Sequence, residues 1–294
     1  MSDLYLGIAI LVALMVASFL LAAWLTRRSS TVTCDVWAAI TVIGIAVYAR
    51  WIWEDTLMAR LFPYSNLIIL SNWFPIAAGF LAGLVWQRIR DTPERIPGLG
   101  TFRGLPRRIF ATVILAAAGC STLVAPLLGE PPECGNEWDG DLCYQTSGAT
   151  CSAAAASTLL QFYGVYASEG EMAERCLTRR GTNWKGLYRG LTLTLRSQQR
   201  RPEVVDLAID ELKKQFADPC ILQCELKIDE DGPTLPYELN GWVPGQAHSV
   251  VLMDIRGDRF QVFDPSVGME VWPRDAMQTL WHGQVFRVIA DKKP

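Results

Sequence analysis

Residues 141–164 read DLCYQTSGATCSAAAASTLLQFYG. Gln145 stands six places ahead of Cys151, and Cys151 opens an alanine-rich run of high helix propensity. A free cysteine is often a small buried hydrophobe, which is the structural reading of Cys151. The chemical reading starts from the helix it opens. A helix N-terminus carries unpaired N–H groups and the positive end of the helix dipole, and both favour a thiolate. An amide held nearby then serves as a donor to a developing oxyanion.

A thiolate nucleophile also needs a base, and the chain has two histidines. His282 lies in LWHGQ, read as a helix-to-strand turn. His248 opens the apolar strand HSVVLMDI, where a side chain is held rigidly against a facing helix end. Asp264 ends the next strand, RFQVFD, and the tight RGDR turn between the two brings it beside His248. The expected catalytic set is therefore Cys151 as nucleophile, His248 as base and Asp264 as the group that orients the imidazole. Gln145, with the Cys151 backbone N–H, is the expected oxyanion donor.

Around this set, residues 141–294 read as a mixed domain. Helices are expected from Cys151 to Tyr163 and around Glu169–Leu177, Trp184–Arg196, Leu207–Phe216 and Arg274–Leu280. Strands are expected from Cys220, His248, Arg259, Met269 and Gln284. Helices first and a mostly antiparallel sheet afterwards define an α+β fold. Upstream, GEPPECGNEWDG, residues 129–140, reads as a linker by its Pro, Gly and acidic content.

Residues 1–128 have another composition. Four apolar stretches, Leu4–Leu25, Val36–Trp53, Leu67–Trp86 and Ile109–Leu128, have the roughly 20-residue length that crosses a bilayer. The first follows MSD, an acidic flank unlike that of a signal peptide. Arg50 lies near a span end among Tyr48, Trp51 and Trp53, where it snorkels to the interface; Asn72 and Pro75 interrupt the third span. The loop after the first span carries Arg27 and Arg28. The loop after the third carries Arg88, Arg90, Arg95, Arg103, Arg107 and Arg108 against Asp91 and Glu94, whereas the second carries Arg60. Positive loops stay cytoplasmic, so both chain ends are expected outside, and the C-terminal domain with them.

A net charge of −3 and the lack of a basic stripe in the C-terminal half exclude a nucleic-acid partner. Cys134 and Cys143, flanking a short polar loop in an oxidising compartment, form a candidate disulfide. Cys34 and Cys120 read as packing residues of the membrane region. Cys220 and Cys224 face one side of a strand, and Cys176 pairs with one of these or stays free. No metal or other cofactor is expected, because a zinc site on the Cys220 strand has no natural further ligands.

These motifs together resemble the papain-like cysteine peptidases that process bacteriocins, the double-glycine leader peptidases fused to ABC exporters. QTSGATCSAAAASTLLQFYG resembles their Gln, Cys and alanine-rich helix ending in YG. RRGTNWKGL resembles their Gly-Thr turn, HSVVLMDIRGDRFQVFDPSVG their His strand, hairpin and Asp-Pro-x-x-Gly, and LWHGQVFRV their closing segment. The resemblance covers nearly all of residues 141–290 and implies the same four site residues, Gln145, Cys151, His248 and Asp264. It departs in three respects. The domain follows four spans instead of preceding a transporter, the usual acid-Cys-Gly is Thr150-Cys151-Ser152, and the stretch DEDGPTLPYELNGWVPGQA before His248 is longer. The sequence carries no Gly-rich phosphate loop, so ATP-driven export is not expected of this chain alone.

The expected protein is a bacterial inner-membrane cysteine peptidase with an extracytoplasmic domain. Its expected partners are a peptide or protein substrate, the lipid bilayer and a separate exporter. Two other readings remain open: an inactive peptide-binding domain, and a thiol acyltransferase of transglutaminase-like type.

Overall fold

The computed structural model describes residues 1–90, 105–227 and 235–291. The chain divides into two units, Met1–Phe62 with Asn66–Leu128, and Gly129–Pro294 with Pro63–Ser65.

The first unit contains α1 (Ser2–Leu25), α2 (Thr31–Val47) continued by a π turn over Tyr48–Ile52, α3 (Leu57–Leu61), α4 (Leu67–Leu70), α5 (Phe74–Arg90) and α6 (Leu105–Val124). Among the described residues, four helical segments, Ser2–Leu25, Thr31–Ile52, Leu67–Arg90 and Leu105–Leu127, are long and apolar enough to cross a membrane. Their outward faces are apolar: Leu6, Leu20, Ile43 and Phe110 are each about 60% exposed (61, 59, 63 and 65%). A patch of that extent in water would be a liability, and lipid covers it without cost.

α5 is the centre of this unit, with α1, α2 and α6 packed on it. The α1–α5 approach is close because Gly79 and Gly83 present no side chain. A Cβ at Gly79 would lie 2.2 Å from the Met15 carbonyl oxygen, and one at Gly83 would lie 2.5 Å from that of Phe19. This is the small-x-x-x-small solution to helix packing in lipid.

The third span is broken between α4 and α5, and its freed polar groups find partners inside the unit. Asn72 Nδ2 donates to the Thr122 carbonyl oxygen at 3.0 Å, Asn72 Oδ1 accepts from the Phe74 N–H at 3.3 Å, and the Tyr48 hydroxyl donates to the Ser71 carbonyl. At the Arg-rich end, Arg88 pairs with Asp35 at 2.8 Å and Arg90 donates to the Arg27 carbonyl oxygen at 2.6 Å. The end of the first span and the end of the third therefore lie on one side of the unit. Asp91, Glu94, Arg95 and Arg103 fall outside the described residues.

The second unit begins with β1 (Glu137–Asp139) and β2 (Leu142–Tyr144), an antiparallel pair. Part of the stretch expected as a linker is thus a strand. Then come α7 (Cys151–Phe162), α8 (Glu169–Arg175), α9 (Trp184–Leu195), β3 (Arg200–Asp206), α10 (Ile209–Gln215) and β4 (Cys220–Glu225). α11 (Leu235–Leu239), β5 (Ala247–Arg256), β6 (Arg259–Asp264), β7 (Gly268–Pro273), α12 (Arg274–Leu280) and β8 (Trp281–Ala290) follow. The fold is α+β, as expected. Among the described residues, six strands form one antiparallel sheet in the order β3-β8-β4-β5-β6-β7.

β3 was not expected, because RRPEVVD carries a proline and three charges ahead of its apolar pair. It is an edge strand, where proline is tolerated. β8 starts at Trp281, so His282 lies in a strand and not in a turn.

Alternation sorts the sheet residues onto two faces. Cys220, Leu222, Cys224, Val250, Leu252, Phe260 and Val262 share one core with Leu212 of α10 and with Met277 and Leu280 of α12. The other face carries Ser249 and is covered by α7, whose Ser152 hydroxyl lies 2.7 Å from that of Ser249.

All eight cysteines are free. The expected Cys134–Cys143 disulfide is therefore absent, and the two thiols have separate surroundings. Cys143 is fully buried in the domain, while the Cys134 thiol donates to the Pro132 carbonyl oxygen at 3.4 Å.

Candidate active site

Cys151 is the first residue of α7, a helix with no side-chain cap. Thr150, the residue before it, turns its hydroxyl back to the Ser147 carbonyl oxygen at 2.8 Å. The first N–H groups of α7 are consequently left without a capping side chain, next to the thiol, where an anion is favoured. Ten consecutive residues from Cys151 to Leu160 are buried, which explains the alanines: small side chains let the helix lie close against β5.

His248 arrives on β5 opposite Cys224 of β4. Asp264 ends β6, and the β5–β6 hairpin sets its register. Val251 pairs with Phe263, which puts Asp264 across from Val250 and diagonal to His248. A diagonal neighbour on an antiparallel pair is within reach of a long side chain. His248 Nε2 and Asp264 Oδ1 are 2.8 Å apart, and the Cys151 thiol is the imidazole's other side-chain partner. The turn was legible as RGDR, with Gly257 at φ +64° at the first central position.

Asp264 is held from several directions. Oδ1 also accepts from the Ser266 N–H at 2.8 Å and the Ser266 hydroxyl at 2.7 Å, and Oδ2 accepts from Trp242 Nε1 at 2.7 Å. The Asp-Pro-x-x-Gly segment places the glutamine as well. The Gln145 N–H donates to the Pro265 carbonyl oxygen at 2.9 Å. Gly268, at φ +110°, leaves room for the Tyr144 hydroxyl, which would lie 2.9 Å from a Cβ there. Gln145 Oε1 is buried with no protein partner among the described residues. The loop is anchored behind by buried Glu169, which accepts from the Thr146 N–H at 2.8 Å and its hydroxyl at 2.6 Å.

Charge follows from this geometry. Burial raises the Cys151 thiol, but the hydrogen bond and charge of His248, with smaller help from Ser249 and Ser152, outweigh it and hold the thiol below its ordinary value. His248 shows the complement: burial lowers it, yet hydrogen bonds to Asp264 and Cys151 push it up to about 10. Burial raises Asp264 too, and its bonds to His248 and Ser266 bring it below the usual carboxylate range. By contrast, burial pushes Cys143, Cys176 and Cys220 up to about 12, and Cys134 and Cys224 are also raised. Of the cysteines after residue 128, Cys151 alone is shifted toward the thiolate.

Sequence reading missed Trp242, Glu169 and Ser152. Trp242 lies in the long stretch before His248, with no strand or motif to mark it. Glu169 was one acid among many. Ser152 was visible only as a departure at the position after the cysteine.

A thiol bonded to an imidazole that is itself held by a carboxylate is the arrangement found in papain-like cysteine peptidases. The chain belongs to the Peptidase C39 family, which matches residues 140–293, more than half of its length. No curated protein matches it. Among solved structures, it is similar to a double-glycine motif protease from an AMS/PCAT transporter in complex with the leader peptide. That match has 18% identity, covers 49% of this chain and 87% of that one, and has a TM-score of 0.39. It is also similar to the peptidase domain of Streptococcus ComA, a bi-functional ABC transporter involved in a quorum-sensing pathway. There the identity is 16%, with 49% and 94% covered and a TM-score of 0.39. The peptidase domain of Streptococcus mutans ComA matches at 15%, with 51% and 98% covered and a TM-score of 0.35.

Proposed function

We propose that the protein is a membrane-anchored cysteine peptidase that cleaves a leader from a peptide substrate. The observation that carries this is the Cys151–His248–Asp264 chain, with the thiol shifted down and the imidazole shifted up. The Cys151 thiolate attacks the scissile carbonyl. The oxyanion is received by the Gln145 amide and the Cys151 N–H at the uncapped start of α7. The His248 imidazolium then gives its proton to the leaving amine, and the neutral ring activates water to release the acyl group. Asp264 keeps the imidazole oriented and balances its charge. A separate exporter is the proposed recipient of the product.

The test is labelling of the full chain in detergent with limiting iodoacetamide at about neutral pH, followed by mass mapping. Cys151 should react first, and His248→Ala should remove that advantage. Prior labelling of Cys134 or Cys176 with Cys151 inert would sink the assignment. Peptides with a Gly-Gly junction should then be cut by the native chain and not by Cys151→Ala. Transfer to an added amine in place of hydrolysis would favour an acyltransferase.

A further inference from the structure

Trp242 belongs to the long stretch that precedes His248, on the segment between α11 and β5, and is 4% exposed. Its indole N–H reaches Asp264 Oδ2 at 2.7 Å, and its ring lies against the His248 imidazole, with centroids 4.4 Å apart and planes at 41°. The position of the indole is itself fixed. The Trp242 N–H donates to the Tyr237 carbonyl oxygen at 3.0 Å, and the Gly245 N–H to that of Leu226 at 2.7 Å. The rings of Tyr237 and Trp272 stand 5.9 and 6.0 Å away.

The division of labour on the carboxylate gives this contact its meaning. Oδ1 serves His248 and both donors of Ser266, while Trp242 partners Oδ2. Asp264 is fully buried, so loss of the indole N–H would leave a carboxylate oxygen in the interior without that donor and let the group rotate. The ring has a second effect. It covers one side of the imidazole, and excluding water strengthens the attraction between imidazolium and carboxylate.

We propose that Trp242 is a positioning residue for the base: it pins the Asp264 carboxylate toward His248 and shields that pair from water. The inference rests on the reading of Cys151 and His248 as nucleophile and base. The titratable groups facing the imidazole are Asp264 from β6, Cys151 from α7 and Cys224 from β4. Glu270 of β7 is engaged by the Trp272 and Asn240 side chains. The α11–β5 segment presents the neutral indole.

The experiment uses iodoacetate on the full chain in detergent across a range of pH. The anionic reagent is drawn to a thiolate beside an imidazolium, so its rate with Cys151 rises as the thiolate forms and falls as His248 loses its proton. Trp242→Phe keeps a ring and removes the N–H; Trp242→Ala removes both. Trp242→Phe should raise the acid limb and lower the alkaline limb, narrowing the window by about one pH unit, a tenfold change in a proton-binding equilibrium. Trp242→Ala should narrow it further. If Trp242→Ala does not fold, Trp242→Phe decides alone. Limbs that stay at their native positions in Trp242→Phe overturn the proposal, even where the thermal midpoint falls, because a purely structural role lowers stability without moving them. A native chain in which Cys151 shows no enhanced reactivity overturns the nucleophile reading instead, and that result is read before any Trp242 variant.

Discussion

Gln145 and Cys151 differ in what their removal should do. In the proposed mechanism Gln145 enters only when charge develops on the substrate oxygen. Gln145→Ala should therefore lower kcat by roughly 10² to 10³ and leave iodoacetamide labelling of Cys151 nearly unchanged, as loss of one oxyanion donor does. Equal loss of labelling would make Gln145 structural. The titration shifts also set a stability profile. His248 is raised in the folded state, so its contribution is full below its ordinary value of 6.5 and is lost as pH rises through about 10. Asp264 is lowered, so its contribution is present above its ordinary 3.8 and is lost as pH falls through its depressed folded value. The thermal midpoint of the native chain should drop as pH rises toward about 10. His248→Ala should flatten that drop, and an unchanged profile would contradict the ion pair.

At the scale of elements, the site depends on where secondary structures end. α7 supplies an open N-terminus, β5 carries His248 at its second position, and β6 ends at Asp264. The turn from β6 to β7 then has two roles, since Pro265 receives the Gln145 N–H and Gly268 makes room for Tyr144. Gly268→Ala combines a strained φ with a contact to the Tyr144 hydroxyl. It should cost about 1–3 kcal/mol and lower kcat by displacing the Tyr144–Gln145 strand, measured by thermal unfolding together with turnover. Full activity at native stability would show that the turn adapts without moving the glutamine. In the membrane unit, Gly79→Leu should separate α1 from α5, because a Cβ there already meets the Met15 backbone at 2.2 Å. Loss of a cysteine crosslink engineered between those two helices would report it.

For the whole molecule, the substrates within reach depend on which side of the membrane the site occupies. Arg27 and Arg28 follow the first span, and Arg88, Arg90, Arg107 and Arg108 flank the loop after the third. The Arg88–Asp35 and Arg90–Arg27 bonds bring the ends of the first and third spans to one side of the unit. We propose on the charge bias that this side is cytoplasmic and that the peptidase domain is outside. A reporter active only outside the cytoplasm, fused after Pro294, should be active. Activity of a cytoplasm-only reporter at the same site would reverse the topology.

The sequence by itself determined the four long apolar helices, the α+β class and the candidate quartet Gln145, Cys151, His248 and Asp264. Each rests on a local rule: span length and hydropathy, strand alternation, an alanine-rich helix behind a cysteine, and a two-residue turn that fixes a hairpin register. The edge strand β3 escaped because its pairing with β8 is remote in sequence and its own composition argues against a strand. The expected Cys134–Cys143 bridge failed because spacing says nothing of where two thiols point, and Cys143 points into the buried interior. Trp242, Glu169 and Ser152 came to the site only through the tertiary structure. Their contacts join residues brought together by the packing of α7, α8 and the α11–β5 segment around one end of the sheet, and no periodicity or motif encodes such a meeting.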